Sequence, residues 1–303
     1  MVPGMRIGTH LPDGWQHTVD PAWLEGWHAQ PFALAGGTTD VVVMGPTAGS
    51  APPLLLLPPL PGFKEAWIGV AHLFARKFRV VTFDLRARFV GPPSWHAWLE
   101  DLARIADAFA PDEAIVMGHS LGGALAQRWA LARPERVRAL VLSSSFARVG
   151  STRGQWHKRY LEQTLVLASQ RWFPQGFASP IARSLAASGA WVYDAHCDEH
   201  VLAFVRAGIR GVPIALATQR VRLAFAHDTR DDLPRITAPT LLVVGEREAR
   251  WAREATEELA RLIPDAEVRI SPEVAHLHPI SSPRWLAETV TEWVAREASP
   301  DWW

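Results

Sequence analysis

Ala114-Ile115-Val116-Met117-Gly118-His119-Ser120-Leu121-Gly122-Gly123 is the stretch from which the rest of the chain can be read. A β-branched, apolar run ends on glycine, a serine follows two positions later, and a helix-forming segment, 124–132, follows two more glycines. This is Gly-x-Ser-x-Gly between a strand and a helix, the context in which the short pattern carries chemistry. A serine projected from so sharp a turn has unfavourable backbone angles. Side chains two residues before and after it would collide as the strand folds back into the helix. Gly118 and Gly122 have no Cβ and remove that collision. The serine then lies at a helix N-terminus, where outward-pointing N–H groups favour negative charge. Ser120 is thus a candidate nucleophile; the competing reading is an ordinary strand-to-helix turn.

Outward from this stretch, short apolar runs at 41–44, 54–57, 80–83, 114–117, 139–142, 241–244 and 268–270 read as buried strands. Helical patterns lie among them at 67–77, 95–109, 121–132, 251–262 and 283–298. Nearly continuous apolar strands suit a parallel sheet covered on both faces. Strand–helix alternation then predicts a doubly wound, mostly parallel α/β sheet with right-handed crossovers. The alternation stops between residues 145 and 234, a stretch that reads as mainly helical and aromatic, with Trp156, Tyr160, Trp172, Phe173, Phe177, Trp191, Tyr193, Phe204 and Phe225. No Gly/Ser-rich linker flanks it, so it is expected to be a lid inserted into a core made of 1–144 and 235–303.

Composition narrows the function classes. The 303 residues are 48% hydrophobic with a formal net charge of +0, which argues against a nucleic-acid partner. No apolar run approaches the roughly 18–20 residues that span a bilayer. The first residues lack a basic segment leading into a long apolar core, so no secretory signal is expected. Cys197 is the one cysteine, which excludes an internal disulfide and fits a reducing cytoplasm. The many tryptophans are expected in the core or lining a pocket; Trp302 and Trp303 at the end of the chain are assigned to neither. His196 and His200 share one helix face, but position 197 lacks the glutamate of a zinc-hydrolase motif and no third ligand follows, so no metal is expected. No phosphate-binding glycine loop is present, and no cofactor is implied.

A serine hydroxyl becomes a useful nucleophile when a base, most often histidine, takes its proton and a carboxylate orients that base. Downstream of Ser120, Leu241-Leu242-Val243-Val244-Gly245-Glu246-Arg247-Glu248 places carboxylates just past a strand. Pro272-Glu273-Val274-Ala275-His276-Leu277-His278 then places histidines after the last strand. With these residues the chain resembles the α/β-hydrolase superfamily, in the branch of esterases, cofactor-free haloperoxidase-like enzymes, lactonases and C–C bond hydrolases. The resemblance runs from about residue 35 to 295 and is weakest over 145–234.

The resemblance implies the order serine, acid, histidine. Relatives carry Gly-x-x-Asp where this chain has Gly245-Glu246-Arg247-Glu248, which puts Glu248 at the acid position, with Glu246 as the alternative. Relatives carry Gly-His where this chain has Ala275-His276, which makes His276 the base, with His278 as the alternative. Where relatives read Leu-Leu-His-Gly-Phe-Pro-Gly, this chain reads Leu56-Leu57-Pro58-Pro59-Leu60-Pro61-Gly62. Aligned on Pro61-Gly62, Leu60 supplies one backbone N–H of the oxyanion hole and Leu121, next to the nucleophile, supplies the other. Proline lacks an N–H, so Pro58 and Pro59 stiffen this loop, with a cis bond expected at Leu57–Pro58, Pro58–Pro59 or Leu60–Pro61. Relatives also read Asp-Leu-Arg-Gly-His-Gly where this chain has Asp84-Leu85-Arg86-Ala87-Arg88-Phe89; Arg86 is expected to tie to Asp84 or a loop carbonyl, and Arg88 to be structural or solvated.

The expectation is a cofactor-independent serine hydrolase that cleaves a small, mainly apolar ester or lactone-like molecule through an acyl-enzyme. Two alternatives stand beside it. One is a non-hydrolytic Ser–His enzyme, namely an acyltransferase, a lyase or a cyclising thioesterase-like enzyme. The other is a ligand-sensing protein on the same fold.

Overall fold

The computed structural model describes residues 19–86, 94–149 and 214–297. Among them the strands are β1 (Ala29–Leu34), β2 (Gly37–Met44), β3 (Pro53–Leu57), β4 (Arg79–Phe83), β5 (Ala114–His119), β6 (Val137–Ser143), β7 (Thr240–Gly245) and β8 (Ala266–Ser271). They form one sheet in the order β1-β2-β4-β3-β5-β6-β7-β8. The β1–β2 hairpin and the β2–β4 pair are antiparallel; every pairing from β4 through to β8 is parallel. The helices are α1 (Ile68–Phe74), α2 (Trp95–Phe109), α3 (Leu121–Ala132), α4 (Ile214–Phe225), α5 (Arg250–Leu262), α6 (His278–Ser281) and α7 (Pro283–Glu297). None among the described residues is long and apolar enough to cross a membrane.

The central strands are apolar throughout because both faces of the sheet are covered. Leu54, Leu56, Ile115, Met117, Val141 and Val243 pack on Val70 and Phe74 of α1 and on Leu286, Val290 and Trp293 of α7. The alternate residues Leu55, Leu57, Val116, Leu140, Leu142 and Leu242 pack on Trp98, Leu102 and Ile105 of α2, Leu125 and Trp129 of α3 and Leu259 of α5. Burying each such side chain contributes about 1.5–3 kcal/mol, so these layers hold the strand ends that carry the candidate site.

Three local readings differ from expectation. β1, Ala-Gln-Pro-Phe-Ala-Leu, is half exposed and contains Pro31, so its pattern does not announce the strand that pairs with β2. The helix expected over 67–77 is α1, Ile68–Phe74, which ends earlier and is preceded by a 3₁₀ turn, Lys64–Trp67. The apolar residues of β8 are not buried: Val268 and Ile270 are 41% and 60% exposed, because β8 is an edge strand and, among the described residues, has a neighbour on one side only.

Of the segment 145–234, residues 145–149 and 214–234 are described. Arg148 and Asp228 pair across an isolated bridge, where the chain leaves the sheet and where it returns. Thr229 donates to Gln127 of α3 at 2.8 Å, and Gln127 donates to the Phe146 carbonyl at 3.1 Å. Leu223 of α4 joins the core layer beneath α2 and α3. Arg88, the aromatic positions from Trp156 to Phe204, His196, Cys197, His200, Trp302 and Trp303 lie outside the described residues.

Candidate active site

Parallel pairing brings the candidate residues to one edge of the sheet. Leu57 pairs with Gly118, His119 with Ser143, Ser143 with Val243, and Gly245 with Ser271. The loops that follow β3, β5, β6, β7 and β8 therefore start side by side at the carboxyl ends of the strands, where open α/β sheets form their sites.

Ser120 is the residue between β5 and α3, with φ 52° and ψ −114°, a conformation that costs a non-glycine residue of order 1–3 kcal/mol. The turn is held by Ser120 N–H donating to the Ser143 carbonyl at 2.9 Å and by Ser145 Oγ donating to the Ser120 carbonyl at 3.1 Å. A Cβ on Gly118 would meet the Gly122 carbonyl, and one on Gly122 would meet the Leu57 carbonyl. The second contact places the N-terminus of α3 against the end of β3. Leu121 is the first residue of α3, so its N–H has no acceptor within the helix.

The loop after β3 contains Pro58, Pro59 and Pro61, which lack a backbone donor; between positions 58 and 62 only Leu60 and Gly62 have one. The Leu60–Pro61 bond is cis. The loop is cross-linked to the segment after β4. Leu85 N–H donates to the Gly62 carbonyl at 3.0 Å. Asp84 accepts from the Lys64 N–H at 2.8 Å and from its Nζ at 3.0 Å. Arg86 corrects the expectation for it. Its guanidinium forms a two-pronged ion pair with the buried carboxylate of Asp101 on α2, whose amphipathic turn brings that acid beneath the loop.

Glu248 and His276 meet. Glu248 Oε1 lies 2.6 Å from His276 Nδ1, and the residues are 3% and 4% exposed. Two backbone contacts bring their loops together: Glu246 N–H donates to Ser271 O and Arg247 N–H to Val274 O, each at 2.9 Å. A Cβ on Gly245 would meet the Val274 carbonyl, so this close pass requires glycine. Glu246 points elsewhere: its carboxylate accepts the Glu273 N–H at 2.8 Å in an exposed turn.

The second oxygen of Glu248 accepts from Ser144 Oγ at 2.8 Å, and Ser144 Oγ lies 2.7 Å from His278 Nε2. Burial opposes the Glu248 charge. The His276 ring and its hydrogen bond, together with His278 and Ser144, outweigh that cost and hold the carboxyl below its ordinary value. Burial lowers His278 to about 4, against the pull of Glu248, which leaves it neutral at neutral pH. Burial also holds His119 neutral, with His276 and His278 adding to it; its ring centroid is 4.9 Å from that of His276. This contact sets the His276 ring against the residue that precedes Ser120.

Ser144 and His278 as partners of the acid, and Arg220 on α4, whose guanidinium reaches the loop after β3, were not assigned such roles from sequence. The serine run Ser143-Ser144-Ser145 at the end of β6 is the one sequence signal near Ser144. His278 was legible only as an alternative to His276.

Comparison with known proteins adds to this geometry. Residues 54–289 match the model of a family described as the alpha/beta hydrolase family. RutD of Azorhizobium caulinodans, named provisionally as a carbamate hydrolase, is 30% identical over 230 residues, 73% of this chain and 82% of that protein. A pimeloyl-acyl-carrier-protein methyl ester esterase of Nitrosomonas europaea is 28% identical over 243 residues, 78% of this chain and 93% of that protein. The structure of a hydrolase from Pseudomonas aeruginosa superposes with a TM-score of 0.72 at 24% identity, covering 88% of this chain and 98% of that one.

Proposed function

This chain belongs to the alpha/beta hydrolase family, and we propose that it is a serine hydrolase acting on a small, mainly apolar carboxylic ester or lactone-like substrate. In this reading Ser120 Oγ attacks the carbonyl carbon while His276 takes its proton. Glu248 fixes the imidazole through Nδ1, leaving Nε2 for the proton transfer, and stabilises the imidazolium that forms. The N–H groups of Leu60 and Leu121 hold the negative oxygen of the tetrahedral intermediate. His276 then gives the proton to the departing alkoxide, and water, activated by the same histidine, releases the acid from Ser120. The segment 145–234 serves as the lid that excludes bulk water from the reacting carbonyl.

The observation that carries the proposal is the buried 2.6 Å contact of Glu248 with His276, at the same sheet edge as a serine in a strained turn at a helix N-terminus. The relative named as a methyl ester esterase supports ester chemistry. The test is a panel of p-nitrophenyl esters of increasing acyl length together with a simple lactone, run on the wild type, Ser120→Ala and His276→Ala. Turnover by the wild type to the free acid, lowered by about 10³-fold or more in both variants, is expected. Wild-type rates in Ser120→Ala, or acyl transfer to an added alcohol in place of free acid, would overturn it.

A further inference from the structure

We propose that Arg220, on α4, is a positioning residue for the oxyanion loop: it holds the Leu60–Pro61–Gly62 turn, and through it the Leu60 amide, against the nucleophile elbow. The inference rests on the reading of Leu60 as an oxyanion donor.

The loop needs outside donors. Three of the five residues from Pro58 to Gly62 have no N–H, so it has little means of holding itself by backbone bonds of its own. Arg220 supplies them from a residue 159 positions away. Its Nη1 donates to the Pro61 carbonyl, and its Nη2 donates to the carbonyls of Leu85 at 2.6 Å and Arg86 at 3.1 Å. One planar fork thus ties the loop after β3 to the segment after β4. That segment is itself fixed by the Arg86–Asp101 pair and by Lys64 on Asp84. Gly62 leaves room for the fork. It has φ +99°, and a Cβ there would stand 2.6 Å from Arg220 Nη1.

Among the described residues the partners are carbonyls. Arg220 is 3% exposed, and Asp84, the carboxylate whose charge it feels, gives its oxygens to the Lys64 N–H and Nζ. Burial lowers the guanidinium to about 10, which leaves it charged at neutral pH. A buried cation held by carbonyls is a costly way to gain stability. It is an effective way to fix the direction of several carbonyls at once, because the guanidinium donors are rigid. The Pro61 carbonyl lies two peptide units beyond the Leu60 N–H, and the proline ring fixes one of the few torsions between them, so holding that carbonyl narrows where the Leu60 amide can sit.

The test compares wild type, Arg220→Gln and Arg220→Lys on p-nitrophenyl acetate, with circular dichroism and thermal unfolding to establish the fold. Ser120→Ala is included as a reference. A positioning role acts on the transition state and leaves ground-state binding alone. In folded Arg220→Gln, kcat is expected to fall about 10–100-fold, part of the 10²–10³ typical of losing one oxyanion donor, with KM changed less than about threefold. Arg220→Lys, which keeps the charge and loses the fork, is expected to recover at most a few-fold of that loss. Adding methylguanidinium to Arg220→Ala is expected to restore part of kcat.

A kcat within about twofold of wild type in either folded variant overturns the proposal, as does a loss confined to KM. If neither variant folds, Arg220 is a stability residue and the proposal also falls. The parent reading fails separately, by wild-type turnover in Ser120→Ala. An inactive Ser120→Ala beside a fully active Arg220→Gln removes the Arg220 inference alone.

Discussion

Replacing Glu248 with glutamine takes away the negative charge that faces His276 while keeping nearly the same volume. The carboxylate oxygen is 2.6 Å from Nδ1, and both residues are almost fully buried. In the proposed mechanism the imidazole becomes an imidazolium in the transition state for attack. Two unit charges about 4 Å apart between centres, at an effective dielectric near 20, attract by about 4 kcal/mol. Removing that attraction raises the barrier by about the same amount, or roughly 10³-fold in rate. The amide also presents a donor where an acceptor is needed, which favours the wrong tautomer of the ring. Glu248→Gln is therefore expected to lower kcat/KM on p-nitrophenyl acetate by about 10³–10⁴ with little change in KM. Glu246→Gln serves as the control. Glu246 caps the Glu273 N–H in an exposed turn, so its variant is expected to stay within about twofold of wild type. Initial rates on folded proteins decide the matter. Glu248→Gln retaining more than about a tenth of wild-type activity would refute the reasoning, as would Glu246→Gln falling equally far.

Three further outcomes follow from the same geometry. Ser120→Gly is expected to lose activity in the ester assay and to be about 1 kcal/mol more stable than wild type in urea unfolding, because glycine adopts φ 52° and ψ −114° freely; a less stable variant would contradict strain at the elbow. Gly122→Ala sets a methyl against the Leu57 carbonyl and is expected to cost about 2–3 kcal/mol in the same measurement and to lower esterase activity as the elbow shifts. His278, fully buried, titrates at about 4 in the folded chain against an ordinary value of 6.5. A lowered histidine binds its proton more readily in the unfolded chain, so its contribution is complete above pH 6.5 and is lost as pH falls from there towards 4. The loss of stability in urea unfolding between pH 7.5 and pH 5 is expected to be about 2 kcal/mol smaller in His278→Asn than in the wild type, in which other buried histidines add to it. Glu248, held below its ordinary value, contributes in the opposite position: its stabilisation is present above the unfolded carboxyl value and is lost only at lower pH.

How much of this was legible in the sequence depended on how local the cause was. β3, β5, β6 and β7 could be read because their runs 54–57, 114–117, 139–142 and 241–243 are buried in the helix-covered layers on the two faces of the sheet, so the apolar runs have no gaps. The elbow could be read because the clash that demands Gly118, with the Gly122 carbonyl, is local; Gly122 itself is demanded by the Leu57 carbonyl at the end of β3, a contact that the motif does not show. β1 could not, since a half-exposed strand with a proline has no period to follow. β8 misled: Val268 and Ile270 look like core residues, and only the strand order shows that they lie on an edge strand. The partners of the acid were hidden for a different reason. Ser144 reaches Glu248 across 104 residues and His278 across 134, and Arg220 reaches Pro61 across 159. No spacing encodes such contacts, and for the same reason Glu246 and Glu248 could not be told apart until their loops were placed.

The central claim is that Ser120 is the nucleophile of this site. Intact-protein mass spectrometry after treatment with a fluorophosphonate, followed by peptide mapping, tests it most directly. A single adduct on Ser120 is expected in the wild type, slowed strongly in His276→Ala and absent in Ser120→Ala. Labelling that persists to the same extent in Ser120→Ala would contradict the account.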